Sequence, residues 1–447
     1  MKIPEKPPAW MQFFRDMPQR SLEYFASEKG RVLMQKIDDD YLHWEKVKYR
    51  NIPPSIDLNH LWAIVKATRL QRRRVLPLLS TKRKFFTYGL PDSVHRELHF
   101  VDRFAGGQLG LETPGLSPDA KDRYLVSSLM EEAIASSQIE GAATTRRVGK
   151  EMLRSGRKPR DRAEQMILNN YRTIQRIKSL VDEDLSVEIL HELQESMTME
   201  TLDDPSCGGR FRLPNEEIHV VDNEDGKLLH IPPPAEELND RVQAMCDFAN
   251  QDGKSEFIHP VLKAVILHFW LAYDHPYVDG NGRTARALFY WYAMKKDYWL
   301  IEYLSVSRMI MKSRHQYYRA FLYAESDDLD ITYFIVYYLK ALNLAMEELR
   351  LYLERKQKEY RESLSVLHGW PGLNYRQQTL LRHALNNRFA IYTFQSHMNS
   401  HNIAYATGRS DLLTLVERGL LIENKVGRQF QFLVPGDLHE KIVKNRV

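Results

Sequence analysis

Apolar residues recur at helical spacing through most of this chain, and the few departures from that rhythm mark its boundaries. Up to about residue 90 the pattern is helical and polar, as in Asp40–Val47 and His60–Val65. Within it, Arg69, Arg72, Arg73 and Arg74 form a basic cluster that could meet a polyanion but reads first as a solvated helix face. Residues 121–180 predict two helices. One runs from Lys121 to near Glu140 and stops at Gly141, and a second is opened by Asp161. A third follows from Ser186. The period then shortens to two. Glu217–Val221 and Lys227–Ile231, separated by the turn-forming Asp222–Gly226, predict a β-hairpin that Pro232–Pro234 terminate. Helical spacing resumes and continues to about Leu367.

His368–Gly372 is a proline/glycine break and the predicted domain boundary. Beyond it the pattern predicts helices over Arg376–Asn387, Thr393–Ser400 and Tyr405–Arg418. Two short strands follow, Leu421–Asn424 and Gln429–Leu433, around Gly427. Three helices and a hairpin in that order are the order of a winged helix. The expected organisation is a helical region over 1–90, a mainly α core over 91–367 and a winged-helix domain over 371–447.

Composition narrows the class. The chain has 447 residues, 43% hydrophobic and 27% charged, with net charge +4, so bulk charge gives no case for a nucleic-acid coat or a membrane surface. Its two cysteines, Cys207 and Cys246, form no metal-binding or disulfide pattern, which suits a reducing cytoplasm. The N-terminus is rich in proline and charge, unlike a signal peptide, and the most apolar run, Ala264–Ala272, falls short of the roughly 20 residues a bilayer span needs. No membrane association is expected.

The chemistry concentrates in His275-Pro276-Tyr277-Val278-Asp279-Gly280-Asn281-Gly282-Arg283-Thr284-Ala285-Arg286. An aromatic-rich helix, Ile258–Tyr273, leads into this loop, and a new helix starts near Gly282. The loop therefore ends on unpaired backbone N–H groups and the positive end of a helix dipole, which together favour an anion. Gly280 and Gly282 let phosphate approach the backbone without a Cβ in the way. Arg283 and Arg286 can fork onto phosphate oxygens. Asp279 beside phosphates suits Mg²⁺ held jointly by protein and nucleotide. His275 can accept a proton near neutral pH.

These residues resemble the Fic family signature HPFx[DE]GNGRxxR, with Tyr277 in place of its phenylalanine. The resemblance covers roughly residues 91–367 and implies an adenylyltransferase, an enzyme that moves AMP from ATP to a Ser, Thr or Tyr hydroxyl of a protein. It implies His275 as general base, Asp279 on Mg²⁺, Gly280, Asn281 and Gly282 as anion hole, and Arg283 and Arg286 on the outer phosphates. Lysine in place of the loop's second glycine marks relatives that phosphorylate, so Gly282 favours adenylylation. The hairpin resembles the family's flap, which would dock a target strand through Val220, Val221 and Leu229. Tyr317 and Tyr318 stand where an aromatic pair often meets adenine, or else belong to the core of a helix. Glu325 replaces an asparagine of that region. Ser136-Ser137-Gln138-Ile139-Glu140-Gly141 resembles the inhibitory motif [ST]xxxE[GN], which implies a brake in which Glu140 pairs with Arg286 and occupies the space of the γ-phosphate. The target is open, the chain itself included, and so is a homodimer.

From residue 371 the chain carries ten basic and five acidic side chains, leaving the rest near neutrality. Tyr405, Thr407, Arg409 and Ser410 would open a recognition helix, with Lys425 and Arg428 near the wing. A protein-docking or regulatory role is favoured there over sequence-specific DNA binding. The competing reading of the whole chain is a DNA-binding transcriptional regulator whose Fic-like domain senses nucleotide.

Overall fold

The computed structural model describes residues 2–106, 118–222, 225–251, 257–367, 372–401, 403–426 and 429–444. Most of the break at 368–372, residues 223–224 of the predicted turn, and Gly427, Arg428 and Arg446 of the C-terminal region lie outside them. The fold is mainly α, with seven short strands among the described residues. The chain divides into two compact units. One comprises Met1–Leu111 with Ala120–Leu349, and the other Glu112–Asp119 with Arg350–Val447.

In the first unit the N-terminal helices, ending with Leu58–Leu70, bury Phe25, Ile37, Trp44, Val47 and Trp62 in a core of their own. The expectation of helix up to residue 90 fails at its end. Arg74–Leu79 and Phe85–Tyr88 pair as an antiparallel hairpin, in which Leu76, Leu78, Phe86 and Tyr88 alternate inward. Period-two burial is what a strand needs, and five residues at its tip are short enough to hide the change of period.

The arginine cluster is not a solvated helix face either. Arg69 and Arg73 are buried. Arg69 donates to the carbonyls of Leu42 and Ile37 and stacks on Tyr41, with its guanidinium carbon 3.8 Å from the ring centre. Arg73 pairs with the fully buried Asp330 at 2.7 Å, and Tyr41 donates to the same carboxylate. Nearby, Lys66 meets Asp327 and Asp328. Two cations and three carboxylates thus lock the N-terminal region onto the loop 327–330.

Residues 118–180 hold three α-helices rather than two: Pro118–Ile139, Arg146–Ser155 and Arg162–Ile177. The middle one was hidden in a charged stretch. Thr145 caps its start and Gly156, at φ 67°, ends it. Gly141 is left-handed as expected, Asp161 caps the third helix by accepting from Glu164 N, and Ser186 caps Val187–Thr198. The predicted β-hairpin is present but shorter, Val220–Val221 against Leu228–His230, with a register shift between Val220 and Val221.

In the second unit the order is Tyr375–Asn386, strand Ile391–Tyr392, Phe394–His401, Tyr405–Glu417, strands Ile422–Val426 and Gln429–Leu433, then Leu438–Lys444. The Gln429–Leu433 strand lies between the other two. Leu381, Leu412, Leu415, Leu420, Phe432 and Ile442 fill its core. Asn374 and Gln377 form a reciprocal capping box that starts the first helix. Arg376, one of the ten basic residues of this region, is bound at 2.7 Å to Asp411, which also meets His397.

Candidate functional site

The helix Pro260–Asp274 is buried on all sides and ends because His275 turns left-handed, at φ 46°, ψ 56°. A non-glycine residue holds that conformation only where its surroundings fix it. Here Arg212 does so. Its backbone N–H donates to the Pro276 carbonyl at 2.9 Å, its Nε to the His275 carbonyl at 3.0 Å, and its Nη2 to Pro233 just after the hairpin. Sequence reasoning passed over Arg212, since nothing local reveals a partner 63 residues away.

Within the loop, Asn281 closes on Tyr277. Its Oδ1 accepts from Tyr277 N at 2.9 Å and its Nδ2 donates to Tyr277 O at 2.8 Å. The side chain of Asn281 is therefore a clasp, and only its backbone faces the helix start. Tyr277 is fully buried, and its hydroxyl lies 3.3 Å from His191 Nδ1, a polar partner that accommodates tyrosine in place of phenylalanine. Gly280 is left-handed at φ 88°, and a Cβ there would stand 2.8 Å from Thr198 Cγ2.

The second helix, Asn281–Lys295, starts on Gly280 with no side-chain cap, so its first N–H groups are left for another acceptor. Glu140 lies beside them. Its carboxylate lies against Gly282, where a Cβ would overlap Oε1, and its Oε1 is 2.9 Å from Arg286 Nη2. Arg286 is buried, and it also donates to the Ser136 hydroxyl at 2.8 Å and the Ser136 carbonyl at 2.9 Å. Its Nη1 has no hydrogen-bond partner among the described residues. The structure thus brings Ser136, Glu140, Gly282 and Arg286 to one point, with the Glu140 carboxylate beside the helix start.

Arg283 does not join them. It is fully buried, donating to the Met197 carbonyl at 2.8 Å and to Asp279 Oδ1 at 3.1 Å. Asp279 Oδ1 also accepts from Gly280 N, and its side chain is 40% exposed. Nδ1 of His275 lies 3.3 Å from the Ala272 carbonyl. A carbonyl only accepts, so Nδ1 carries the hydrogen and Nε2 keeps a lone pair. Burial, reinforced by the nearby His230 charge, pushes His275 down to about 4, so the ring is neutral at pH 7.

The two tyrosines part company. Tyr317 is a core residue whose hydroxyl meets His268 Nε2 at 2.8 Å. Tyr318 is partly exposed, its hydroxyl 3.5 Å from the Ile139 carbonyl beside Glu140. On the hairpin, Val221 is exposed while Val220 and Leu229 are half-buried. Glu325 turns to the hairpin, 3.0 Å from His230 Nδ1.

Comparison with known proteins bears on this geometry. The Fic/DOC family matches residues 184–293. A protein adenylyltransferase Fic of Nematostella vectensis is 37% identical over 84 residues, and one of Drosophila willistoni 35% identical over 95. These stretches cover 19% and 21% of this chain and 17% of each relative, so the chain spans about a sixth of the length of the relatives it matches. A solved Fic family protein from Desulfovibrio desulfuricans G20 superposes over 77% of this chain and 96% of its own, with TM-score 0.50 and 20% identity, a likeness of fold. No helix among the described residues is long and apolar enough to cross a membrane.

Proposed function

We propose, for a chain that carries a Fic/DOC family domain across residues 184–293, that it is a protein adenylyltransferase held in check by Glu140. One observation carries the reading: the Glu140 carboxylate lies against Gly282 and 2.9 Å from Arg286, at the start of the helix that follows the loop of a neutral His275. A helix start and a buried arginine that hold a carboxylate suit an anionic substrate.

In this reading the α-phosphate of ATP lies at the start of the helix Asn281–Lys295, where the backbone N–H groups of Asn281 and Gly282 face it. Arg286 binds the outer phosphates with the donors now given to Glu140 and with the orphaned Nη1. Asp279 presents one carboxylate oxygen already committed to Gly280 and Arg283 and a second without a partner among the described residues, which fits Mg²⁺ shared with phosphates. Magnesium would supply neutralisation of phosphate charge. A Ser, Thr or Tyr hydroxyl of the target gives its proton to His275 Nε2 as its oxygen bonds to the α-phosphorus. The bond from that phosphorus to the bridging oxygen breaks, pyrophosphate leaves, and AMP remains on the target. Arg212 holds the His275 carbonyl so that the ring keeps its direction. The target strand adds along the hairpin of Val220, Val221 and Leu229, beside the exposed Val221. Of the aromatic pair, Tyr318 is the one open to a base.

The test is transfer of label from α-labelled ATP to protein, in lysate and in the purified chain. Glu140→Gly should raise labelling and His275→Ala should remove it. Labelling that survives loss of His275 would overturn the assigned base. Mass spectrometry of peptides carrying +AMP then identifies the target.

A further inference from the structure

His230 closes the second strand of the hairpin and is almost fully buried, at 9% exposure. Its Nε2 lies 2.8 Å from the carbonyl oxygen of Tyr273, in the last turn of the helix that delivers His275. Its Nδ1 lies 3.0 Å from Oε2 of Glu325, on the helix Arg314–Ser326. Both partners only accept, the carbonyl always and the carboxylate when ionised. A neutral imidazole has one N–H and satisfies one of them. Only the imidazolium satisfies both. The ring also packs on Tyr273, with centroids 4.6 Å apart.

We propose that Glu325 and a protonated His230 form a latch that fixes the hairpin against the helix end carrying His275, and that Glu325 is thereby a positioning residue for the target and not a contact for the nucleotide base. The proposal rests on the transferase reading and extends it to the side chain that replaces the family's asparagine. Three elements meet at His230: the hairpin strand, the helix Pro260–Asp274 and the helix Arg314–Ser326. The charged or titratable groups facing it are Glu325, Asp274, the Tyr273 ring and His275. Asp274 is itself held by Arg241 at 2.8 Å and by Trp270 Nε1 at 2.9 Å. Burial opposes the charge on His230, but Glu325, the Tyr273 carbonyl and Asp274 outweigh it and hold its pKa above the ordinary histidine value.

The latch links two pieces of the site that the backbone does not. Arg212 ties the residue after the hairpin, Pro233, to the His275 carbonyl. His230 ties the hairpin strand itself to the turn before His275. A target strand laid on the hairpin is then in register with the base through two independent connections. Loss of Glu325 removes one of the two acceptors, so a neutral ring that keeps only the Tyr273 carbonyl suffices, and the strand loses its tie to the helix Arg314–Ser326.

The test uses the full chain in the Glu140→Gly form, with three measurements. In ¹⁵N histidine spectra, assigned with His230→Gln, both His230 nitrogens should be protonated at pH 7, and in Glu325→Gln one should lose its proton. Binding of Mg²⁺ with a non-hydrolysable ATP analogue should be unchanged by Glu325→Gln. Transfer to a protein target should fall by about tenfold, the scale of one hydrogen bond to a charged group, with the loss in KM for the target and not for ATP. Glu325→Asp, which keeps the charge on a shorter arm, should recover part of it. A neutral His230 in the parent at pH 7 would overturn the latch, whatever the activity. So would a weakened affinity for the ATP analogue in Glu325→Gln with the His230 spectrum unmoved, since Glu325 would then serve the nucleotide. Absence of any transfer in every form would count against the transferase reading, while the spectra would still decide the latch.

Discussion

Removing the Glu140 carboxylate tests the central contact of the site. In the resting structure its Oε1 is 2.9 Å from Arg286 Nη2, and the two side chains are 29% and 2% exposed. A hydrogen bond between charged groups contributes about 1.5–3 kcal/mol. Glu140 is partly open to solvent, which screens its charge, so the lower end of the range applies. ATP must displace this contact to reach Arg286 and the N–H groups beside Gly282. Glu140→Gly should therefore tighten binding of Mg²⁺ with a non-hydrolysable ATP analogue by about tenfold, the equivalent of the lower figure. Isothermal titration calorimetry reads it directly. The same change leaves Arg286 buried with Ser136 as its remaining partner. The nucleotide-free variant should melt below the parent, and saturating nucleotide should recover the difference. An affinity within about twofold of the parent, small beside the contact removed, would refute the competition between Glu140 and phosphate.

Four further outcomes follow from the loop and its support. His275 has its pKa depressed to about 4, so in the Glu140→Gly form, which lacks the carboxylate that raises it, kcat/KM should stay flat from pH 7 to pH 5 and fall only near or below pH 4. The same depression makes the unfolded state the better proton acceptor, so His275 adds stability above its unfolded value near 6.5 and loses it as pH falls towards 4, readable in denaturation midpoints. Asn281→Ala strands the buried N–H and C=O of Tyr277, and at about 1–3 kcal/mol each should cost roughly 2–6 kcal/mol in chemical denaturation. Arg212→Lys keeps the charge but loses the fork that spans His275 and Pro233, and should lower kcat at least about tenfold with the affinity for the ATP analogue retained.

How much of this was written in the sequence depends on how far apart the partners lie. The loop from His275 to Arg286 is legible because its chemistry is local. Gly280 takes a left-handed turn, Asn281 clasps a backbone four residues away, and a helix starts immediately after. The helix ends at Gly141 and Ser186 and the hairpin before Pro232 are legible for the same reason, since caps, turns and period-two burial act over a few residues. The resemblance of Ser136–Gly141 to an inhibitory motif suggested a partner for Arg286, and the structure supplied the 2.9 Å contact.

What the tertiary structure alone decided is which polar side chains are buried and against what. Arg69 and Arg73 read as surface charge until residues some 260 positions away, Tyr333 and Asp330, meet them. Arg283 and Arg286 are three residues apart and look equivalent. The carbonyl of Met197 and Asp279 hold one, and Ser136 and Glu140 hold the other beside Gly282. Tyr317 and Tyr318 are adjacent, yet His268 draws the first inward. The pairing of His230 with Glu325 spans 95 residues and leaves no trace in either segment's pattern. A charge has the same formula in water and in a core. Its cost of desolvation, and so its role, is set by neighbours that only the folded chain assembles.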